Sequence, residues 1–328
     1  MNISFLGTGR ALPLCSLDSI DLDHSWGAAG RITATGVHRR FHCTDESQID
    51  LATVACQRAL ENAKRQIDDI DLIISGASVP YQPIPAMAPL IMRSLGLADG
   101  TAAAFDVNST CLSFVTGLDI ASRMISGGAA NTALVVSSEV ASRALPWATH
   151  PEIAALFGDG AAAAVIGTSK KQTTATIKAV RLRSFPSAYE ACEIGAGGTR
   201  FDFDADSAAF ARHAKFSMDG KALFRLTTQH FNDFVDALLQ DAGWDHADVD
   251  LVVPHQASPA ALDHMIRQTG WPQEKVVRIV ADYGNQIAAS IPFAFDIARE
   301  QGRVPADSKV LFLGTSAGVS LGGAAVVT

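Results

Sequence analysis

Ala247-Asp248-Val249-Asp250-Leu251-Val252-Val253 repeats, in residue type and order, the earlier stretch Asp68-Asp69-Ile70-Asp71-Leu72-Ile73-Ile74. Each is an acidic turn running into a short apolar run, the pattern of a buried strand. Working outward from this pair, further matches keep nearly the same separation. The helical pattern at Phe231–Leu239 precedes the second copy as residues 51–63 precede the first. Asp296-Ile297-Ala298 matches Asp119-Ile120-Ala121, and Lys309-Val310-Leu311-Phe312-Leu313-Gly314 matches Ala133-Leu134-Val135-Val136-Ser137. From Asp71 to Asp250 the offset is 179 residues, from Asp119 to Asp296 it is 177, and from Val135 to Leu311 it is 176. Ordered matches at a near-constant offset mark a duplicated α/β unit. The intervals between strands suit crossover helices and mixed, mostly parallel sheets. The expectation is two similar halves, 1–170 and 171–328, packed together, with the polar Ser169–Thr174 segment as linker.

Between these anchors the pattern predicts a strand over residues 2–7 stopping at Gly7-Thr8-Gly9. A long irregular loop over 15–47 carries Trp26 and the basic pair Arg39-Arg40. A helix is expected from Gln48 to Arg65, a strand over 71–76, a proline-rich loop over 79–85 and a helix over 87–95. The stretch Phe105-Asp106-Val107-Asn108-Ser109-Thr110-Cys111 then leads from a strand into a helix running from Leu112 to Ser126. With Ser109 or Thr110 as cap, Cys111 would lie in the first helical turn. Free N–H groups and the positive end of the helix dipole would there favour a thiolate.

Composition narrows the chemistry. The chain has 328 residues, 48% hydrophobic and 18% charged, which implies a large buried core. Its net charge of −8 argues against a nucleic-acid partner, which needs a dominant basic footprint. The five cysteines stand at least thirteen positions apart, so neither a disulfide framework nor a metal motif is apparent, which suits a reducing cytoplasm. The N-terminus has no charged and apolar leader pattern, and no apolar run reaches about 18 residues, so neither export nor a membrane span is expected.

In the second half, the strand at 250–253 ends in Pro254-His255-Gln256. Tyr283-Gly284-Asn285-Gln286-Ile287 offers Asn285 at a glycine turn, and Gly314-Thr315-Ser316-Ala317-Gly318 can present backbone N–H groups to an oxyanion. Each feature has a structural explanation too: an inert core cysteine, a satisfied histidine beside a proline, an asparagine cap, a tight packing turn. All of them, however, fall at strand ends of one duplicated fold, where α/β sheets bind ligands.

Asp106-Val107-Asn108-Ser109-Thr110-Cys111, Val253-Pro254-His255-Gln256-Ala257 and Tyr283-Gly284-Asn285-Gln286-Ile287-Ala288-Ala289-Ser290-Ile291-Pro292 resemble the β-ketoacyl-acyl carrier protein synthase III family of the thiolase superfamily. The resemblance extends to Thr35-Gly36-Val37-His38-Arg39-Arg40, Phe157-Gly158-Asp159-Gly160-Ala161 and the terminal glycine turn. It implies a thiolase-like, duplicated αβαβα five-layer fold with mixed sheets. It also implies a cytoplasmic homodimeric acyltransferase in which Cys111 takes an acyl group from an acyl thioester of coenzyme A (CoA) or acyl carrier protein (ACP). Decarboxylative Claisen condensation with malonyl-ACP or malonyl-CoA then yields a 3-ketoacyl product. His255 and Asn285 would stabilise the malonyl enolate, and the backbone N–H groups of Cys111 and Ser316 would form the oxyanion hole. Ile84, Phe157 and Phe224 would line or gate the acyl pocket, and Arg39, Arg40, Arg225 and Arg267 would bind CoA or ACP. No metal or redox cofactor is implied.

Departures bear on the substrate. Ile84 stands where the family has a phenylalanine that reaches into the partner subunit, and Gly30 where it has a tryptophan, with Trp26 nearby but out of register. Two other readings remain open on the residues: a relative that moves acyl groups to another acceptor or joins two acyl chains head to head, and a non-catalytic carrier-binding subunit of a heterodimer. Retention of Cys111, His255 and Asn285 together speaks against the last, and Asn285 favours condensation over simple transfer.

Overall fold

The computed structural model describes residues 3–168 and 176–328. The expected linker at Ser169–Thr174, with the boundary between the halves, lies outside the described residues. The first half contains β1 (Ile3–Ala11), β2 (Cys15–Asp18), α1 (Ser19–Ser25), β3 (Arg39–His42), α2 (Gln48–Ala63), β4 (Leu72–Gly76), α3 (Met87–Ser94), β5 (Ala103–Val107), α4 (Ser113–Ser126), β6 (Thr132–Glu139), α5 (Pro151–Ala154) and β7 (Gly160–Thr168). The second contains β8 (Thr176–Ser184), β9 (Cys192–Glu193), α6 (Ser207–His213), β10 (Ser217–Met218), α7 (Gly220–Ala242), β11 (Leu251–Pro254), α8 (Pro259–Thr269), α9 (Val280–Tyr283), α10 (Ser290–Glu300), β12 (Lys309–Ser316) and β13 (Ser320–Val327).

The duplication is visible in the sheets. One has the order β1-β7-β6-β4-β5, the other β8-β13-β12-β11. Both run antiparallel, antiparallel, parallel along that order. Val252 makes an isolated parallel bridge to Val276, which stands in for β5 beside β11. Register adjusts one equivalence: Leu72 pairs with Ala133 and Leu251 with Val310, so β6 and β12 are related by 177 residues and not 176. One residue matters here, because it exchanges the two faces of a strand.

Helices α4 and α10 lie between the sheets, packing Leu118, Ala121, Ile125, Phe295 and Ile297 into one core with Ile74, Val135, Val253 and Phe312. Phe5, Phe295 and Phe312 bind the layers together through edge-to-face contacts, with ring centroids 5.0–5.8 Å apart. Each such pair is worth roughly 1 kcal/mol beyond its buried area. Helices α2 and α3 cover the outer face of the first sheet, and α7 and α8 that of the second. The result is five layers, αβαβα. Polar contacts tie the halves as well: Thr8 Oγ1 donates to Asp296 at 2.6 Å, and Arg10 pairs with Asp296 and Glu300.

Local chemistry explains the elements that frame the site. Ser47 and Asp50 form a reciprocal capping box at the start of α2. The 23-residue α7 begins where Asp219 accepts the N–H groups of Lys221 and Ala222, and ends at the left-handed Gly243. Strand β1 does not stop at Gly7-Thr8-Gly9 but continues to Ala11. The two glycines are there because α2 lies directly on the strand: a Cβ at Gly7 would come 2.3 Å from Ala63 N, and one at Gly9 would come 2.4 Å from Ala59 N. The stretch over 15–47 is not an irregular loop either, since β2 and β3 pair antiparallel, Cys15 with His42 through Asp18 with Arg39, and α1 lies between them. Among the described residues, no helix is long and apolar enough to cross a membrane.

Candidate active site

Strand β5 delivers the chain to a tight turn over 108–112. Leu112 N–H donates to Ser109 C=O at 3.1 Å and Ser113 N–H to Thr110 C=O at 3.0 Å. Ser113 Oγ accepts from Ser109 N–H at 2.9 Å and donates to Thr110 C=O at 2.6 Å. Thr110 is held at φ +49°, a left-handed conformation uncommon for a residue with a side chain. Helix α4 starts only at Ser113, with Leu112 as its N-cap, so Cys111 precedes the first helical turn and neither Ser109 nor Thr110 caps it.

The consequence is electrostatic. Cys111 is partly accessible, yet its sulphur lies deep among protein atoms, and burial pushes the thiol well above its usual range. Nearby Cys192 and Glu139 push in the same direction; the N–H groups of Ala317 and of Cys111 itself pull against them and lose. The thiolate expected from the helix dipole is therefore not the resting form, because desolvation outweighs two hydrogen bonds.

The amide that hydrogen-bonds the Cys111 thiol is Ala317's, not that of the expected Ser316. Strand β12 runs on through Ser316, which pairs with Ser320 of β13, so the turn between the strands begins one residue later. Thr110 Oγ1 donates to Ala317 C=O at 3.3 Å and joins the two turns. Gly314 makes the approach possible: a Cβ there would meet Leu112 Cδ2 at 2.9 Å and His255 Cβ at 3.1 Å.

His255 follows β11, its N–H donating to Leu313 C=O at 2.7 Å. The residue is buried, and desolvation lowers its pKa to about 4, so the imidazole is neutral near pH 7. Nδ1 lies 2.6 Å from Ser290 Oγ at the start of α10. Asn285 is equally buried. Its N–H donates to Leu156 C=O at 2.7 Å and its C=O accepts from Gly158 N–H at 3.1 Å, which sets it beside Phe157. Ile287 N–H points at the Asn285 side chain at 2.8 Å and requires an acceptor, which identifies that atom as Oδ1. Nδ2 then faces the other way, with one hydrogen directed at Ala257 C=O at 3.3 Å. Cys111 and His255 thus stand on turns after strands β5 and β11, whereas Asn285 follows helix α9 and not the strand end expected for it; the three turns interlock through Gly314, Ala317 and Ala257.

The remaining expected residues divide. Phe157 is buried beside Asn285, its ring 5.0 Å from that of Phe216. Ile84 is 87% exposed on the 79–86 loop. Phe224 is half exposed on α7, its ring against His264, and is not part of the buried wall around Cys111. Arg39, Arg225 and Arg267 are exposed. Arg40 is not: it is fully buried, donating to Ser19 Oγ at 2.8 Å and Val37 C=O at 3.2 Å, and its charge cannot reach a ligand. Trp26 stacks on Trp147 at 5.5 Å.

The structure adds residues that sequence reasoning missed. Glu139 ends β6 without solvent exposure, accepts N–H groups from Ser78 at 2.6 Å, from Val79 and from Ala288, and is pushed up to about 8 by burial. An acid closing a run of eight buried strand residues was the available signal. Cys192 gave none, since the fold alone brings it toward Cys111.

Comparisons with known proteins bear on the family and the fold. The model of the family described as 3-oxoacyl-[acyl-carrier-protein (ACP)] synthase III matches residues 105–185, and that of its C-terminal part matches residues 239–328. The chain is 33% identical over 326 residues to beta-ketoacyl-[acyl-carrier-protein] synthase III 3 of Streptomyces coelicolor, covering 98% of this chain and 95% of that protein. It is 34% identical over 324 residues to the acetoacetyl CoA synthase NphT7 of a Streptomyces species, covering 96% and 95%. The crystal structure of 3-oxoacyl-(acyl carrier protein) synthase III from Pseudomonas aeruginosa superposes with a TM-score of 0.88 at 30% identity, covering 100% of this chain and 98% of that one. With its duplicated thiolase-like layers and matches along nearly its whole length, this chain belongs to the β-ketoacyl-acyl carrier protein synthase III family of condensing acyltransferases.

Proposed function

We propose that Cys111 attacks the carbonyl carbon of an acyl thioester of CoA or ACP and that the acylated enzyme then condenses with a malonyl thioester. In the first step the Cys111 S–C bond forms and the donor's C–S bond breaks. The departing thiolate takes up the proton that Cys111 gives up. The N–H groups of Ala317 and Cys111, already directed at the sulphur, hold the developing oxyanion. In the second step the malonyl carboxylate leaves as carbon dioxide, and the electron pair passes into the thioester as an enolate. Its α-carbon attacks the acyl-cysteine carbonyl, a C–C bond forms, the acyl C–S bond to Cys111 breaks, and the released thiolate takes a proton from solvent.

The observation that carries this reading is the orientation of Asn285. With Oδ1 tied to Ile287 N–H, Nδ2 is the group left to donate, next to a neutral imidazole on the adjoining turn. Two such donors stabilise an enolate; transfer of an acyl group to a hydroxyl or amine has no use for them. The neutral state of His255 fits a donor to a developing anion whose own negative charge is lost at the end of the step. Malonyl-ACP is the proposed partner, with malonyl-CoA as the alternative suggested by the similarity to an acetoacetyl CoA synthase. Exposed Arg39, Arg225 and Arg267 are proposed to meet the carrier or CoA phosphates, and Ile84 to reach the acyl pocket of a second subunit in a homodimer. Phe157 is proposed as part of that pocket's wall. A cytoplasmic enzyme needing no metal or redox cofactor completes the proposal.

The test is intact-protein mass spectrometry with a panel of acyl-CoA and acyl-ACP donors, followed by malonyl-ACP or malonyl-CoA. The expected result is a single acyl adduct, absent in Cys111→Ala, then release of carbon dioxide and a 3-ketoacyl thioester. His255→Ala and Asn285→Ala should keep the adduct and lose condensation by about 10²–10³-fold, the usual cost of one enolate or oxyanion donor. Loading without decarboxylation would leave acyl transfer or head-to-head joining as the activity.

A further inference from the structure

The hydrogen bonds behind the two polar residues converge on one short segment, Asn285–Ser290. Ile287 sits at its centre with φ +50°, a strained conformation for a β-branched side chain. Its N–H holds Asn285 Oδ1, and its C=O lies 2.9 Å from Ser290 Oγ. The next residue, Ala288, gives its N–H to the buried Glu139. Strain of this kind persists where surrounding bonds over-determine the backbone, and here they arrive from both halves of the molecule.

Ser290 Oγ, fully buried, is the point where this segment meets His255. Three groups surround it: His255 Nδ1 at 2.6 Å, Ile287 C=O at 2.9 Å and Gln256 N–H at 3.3 Å. Gln256 N–H can only donate, so it occupies a lone pair. A hydroxyl has one proton: donated to Ile287 C=O it goes with a proton on His255 Nδ1, and donated to Nδ1 it goes with the ring proton on Nε2. Ile287 C=O already accepts the backbone N–H of Ser290. Among the described residues, no other hydrogen bond reaches the His255 ring, and its distance to Oγ is the shorter one.

We infer that Ser290 is a positioning residue: its hydroxyl donates to His255 Nδ1, so the ring proton resides on Nε2 and faces the thioester. The same six-residue turn therefore presents both enolate donors, Asn285 Nδ2–H directly and His255 Nε2–H through Ser290. The inference rests on the proposed condensation for its kinetic consequence, but the tautomer is a property of the free enzyme and is measured without substrate.

The experiment uses full-length protein labelled with ¹⁵N-histidine, with His255 assigned by the signals lost in His255→Gln, together with Ser290→Ala. In the wild type, Nε2 should carry the pyrrole-type and Nδ1 the pyridine-type ¹⁵N signal at pH 7. In Ser290→Ala the Nδ1 signal should move toward that of a nitrogen without a hydrogen bond. Acylation of Cys111, which also reports correct folding, should change less than 2-fold, while kcat for condensation should fall about 10-fold, the scale of one buried hydrogen bond. A pyrrole-type Nδ1 in the wild type overturns the inference, as does a Ser290→Ala enzyme that condenses at the wild-type rate. If the wild type loads Cys111 and forms no 3-ketoacyl product, the proposed function fails, and the ¹⁵N signals still decide the tautomer.

Discussion

Replacing Glu139 by Gln isolates the effect of a fully buried acid. Glu139 has no exposed surface, and its hydrogen-bond partners are the backbone N–H groups of Ser78, Val79 and Ala288 and the Ser78 side chain. Those donors favour the ionised carboxylate, yet burial wins and raises its pKa from 4.5 to about 8. The fold thus prefers the protonated acid. Its full stabilisation is present below pH 4.5, where the unfolded chain is protonated too, and is lost as the pH rises through about 8. The interval corresponds to about 5 kcal/mol, of which about 4 kcal/mol falls between pH 5 and pH 8. The amide of Glu139→Gln cannot ionise. Any cost of turning its NH₂ toward the Ser78 or Ala288 amides is the same at every pH.

The assay is urea unfolding of wild type and Glu139→Gln at half-unit steps from pH 5 to pH 9. The variant should gain on the wild type by about 4 kcal/mol across the first three units, whatever its offset at pH 5. A second readout follows from the effect of Glu139 on the nucleophile, whose thiol it helps to raise. Removing that charge should shift the pH profile of Cys111 alkylation by iodoacetamide toward lower pH. Parallel stability curves, with an unshifted alkylation profile, would show that Glu139 is already ionised at pH 5 and that its amide donors dominate burial.

Three further outcomes are expected. His255 has a pKa lowered from 6.5 to about 4, so its contribution to stability is present above pH 6.5 and lost as the pH falls through about 4; His255→Gln should remove about 3 kcal/mol of acid sensitivity in an unfolding series extended down to about pH 3. Gly9→Ala places a Cβ 2.4 Å from Ala59 N and 2.5 Å from Ala55 O, both backbone atoms of α2 that cannot rotate away; a loss of about 3 kcal/mol in urea unfolding is expected. Arg40→Ala should cost about 2–3 kcal/mol by removing a fully buried side chain together with its bonds to Ser19 Oγ and Val37 C=O, which would keep only the bond Ser19 donates to Val37, while KM for the acyl donor, measured in steady state, stays within 2-fold; a KM effect without a stability effect would restore Arg40 to the ligand surface.

What the residues disclosed, and what they withheld, has one physical origin. The duplication was legible because both copies repeat apolar, largely β-branched strands at matched intervals, and burial selects the same residue types wherever a strand is covered on both faces. For the same reason the register was not legible: all eight residues of β6 are buried, so no polar alternation marks which face is which, and the second copy was aligned one residue out. The amide facing Cys111 was placed one residue early for a comparable reason, because the end of β12 depends on its pairing with β13 and Ser316 looks like the start of a turn. Arg40 was misplaced because arginine is rarely buried, and only the β2–β3 pairing turns it inward. Cys111, His255 and Asn285 were singled out because polar residues at turns beside strands draw attention, whereas Glu139, Ile287 and Ser290 look like ordinary strand and helix residues until the folded chain shows what they hydrogen-bond. The site is therefore divided by sequence distance: the groups that would touch substrate are announced by local motifs, and the groups that orient them become visible only through contacts such as Glu139 with Ala288, made across 149 positions of chain.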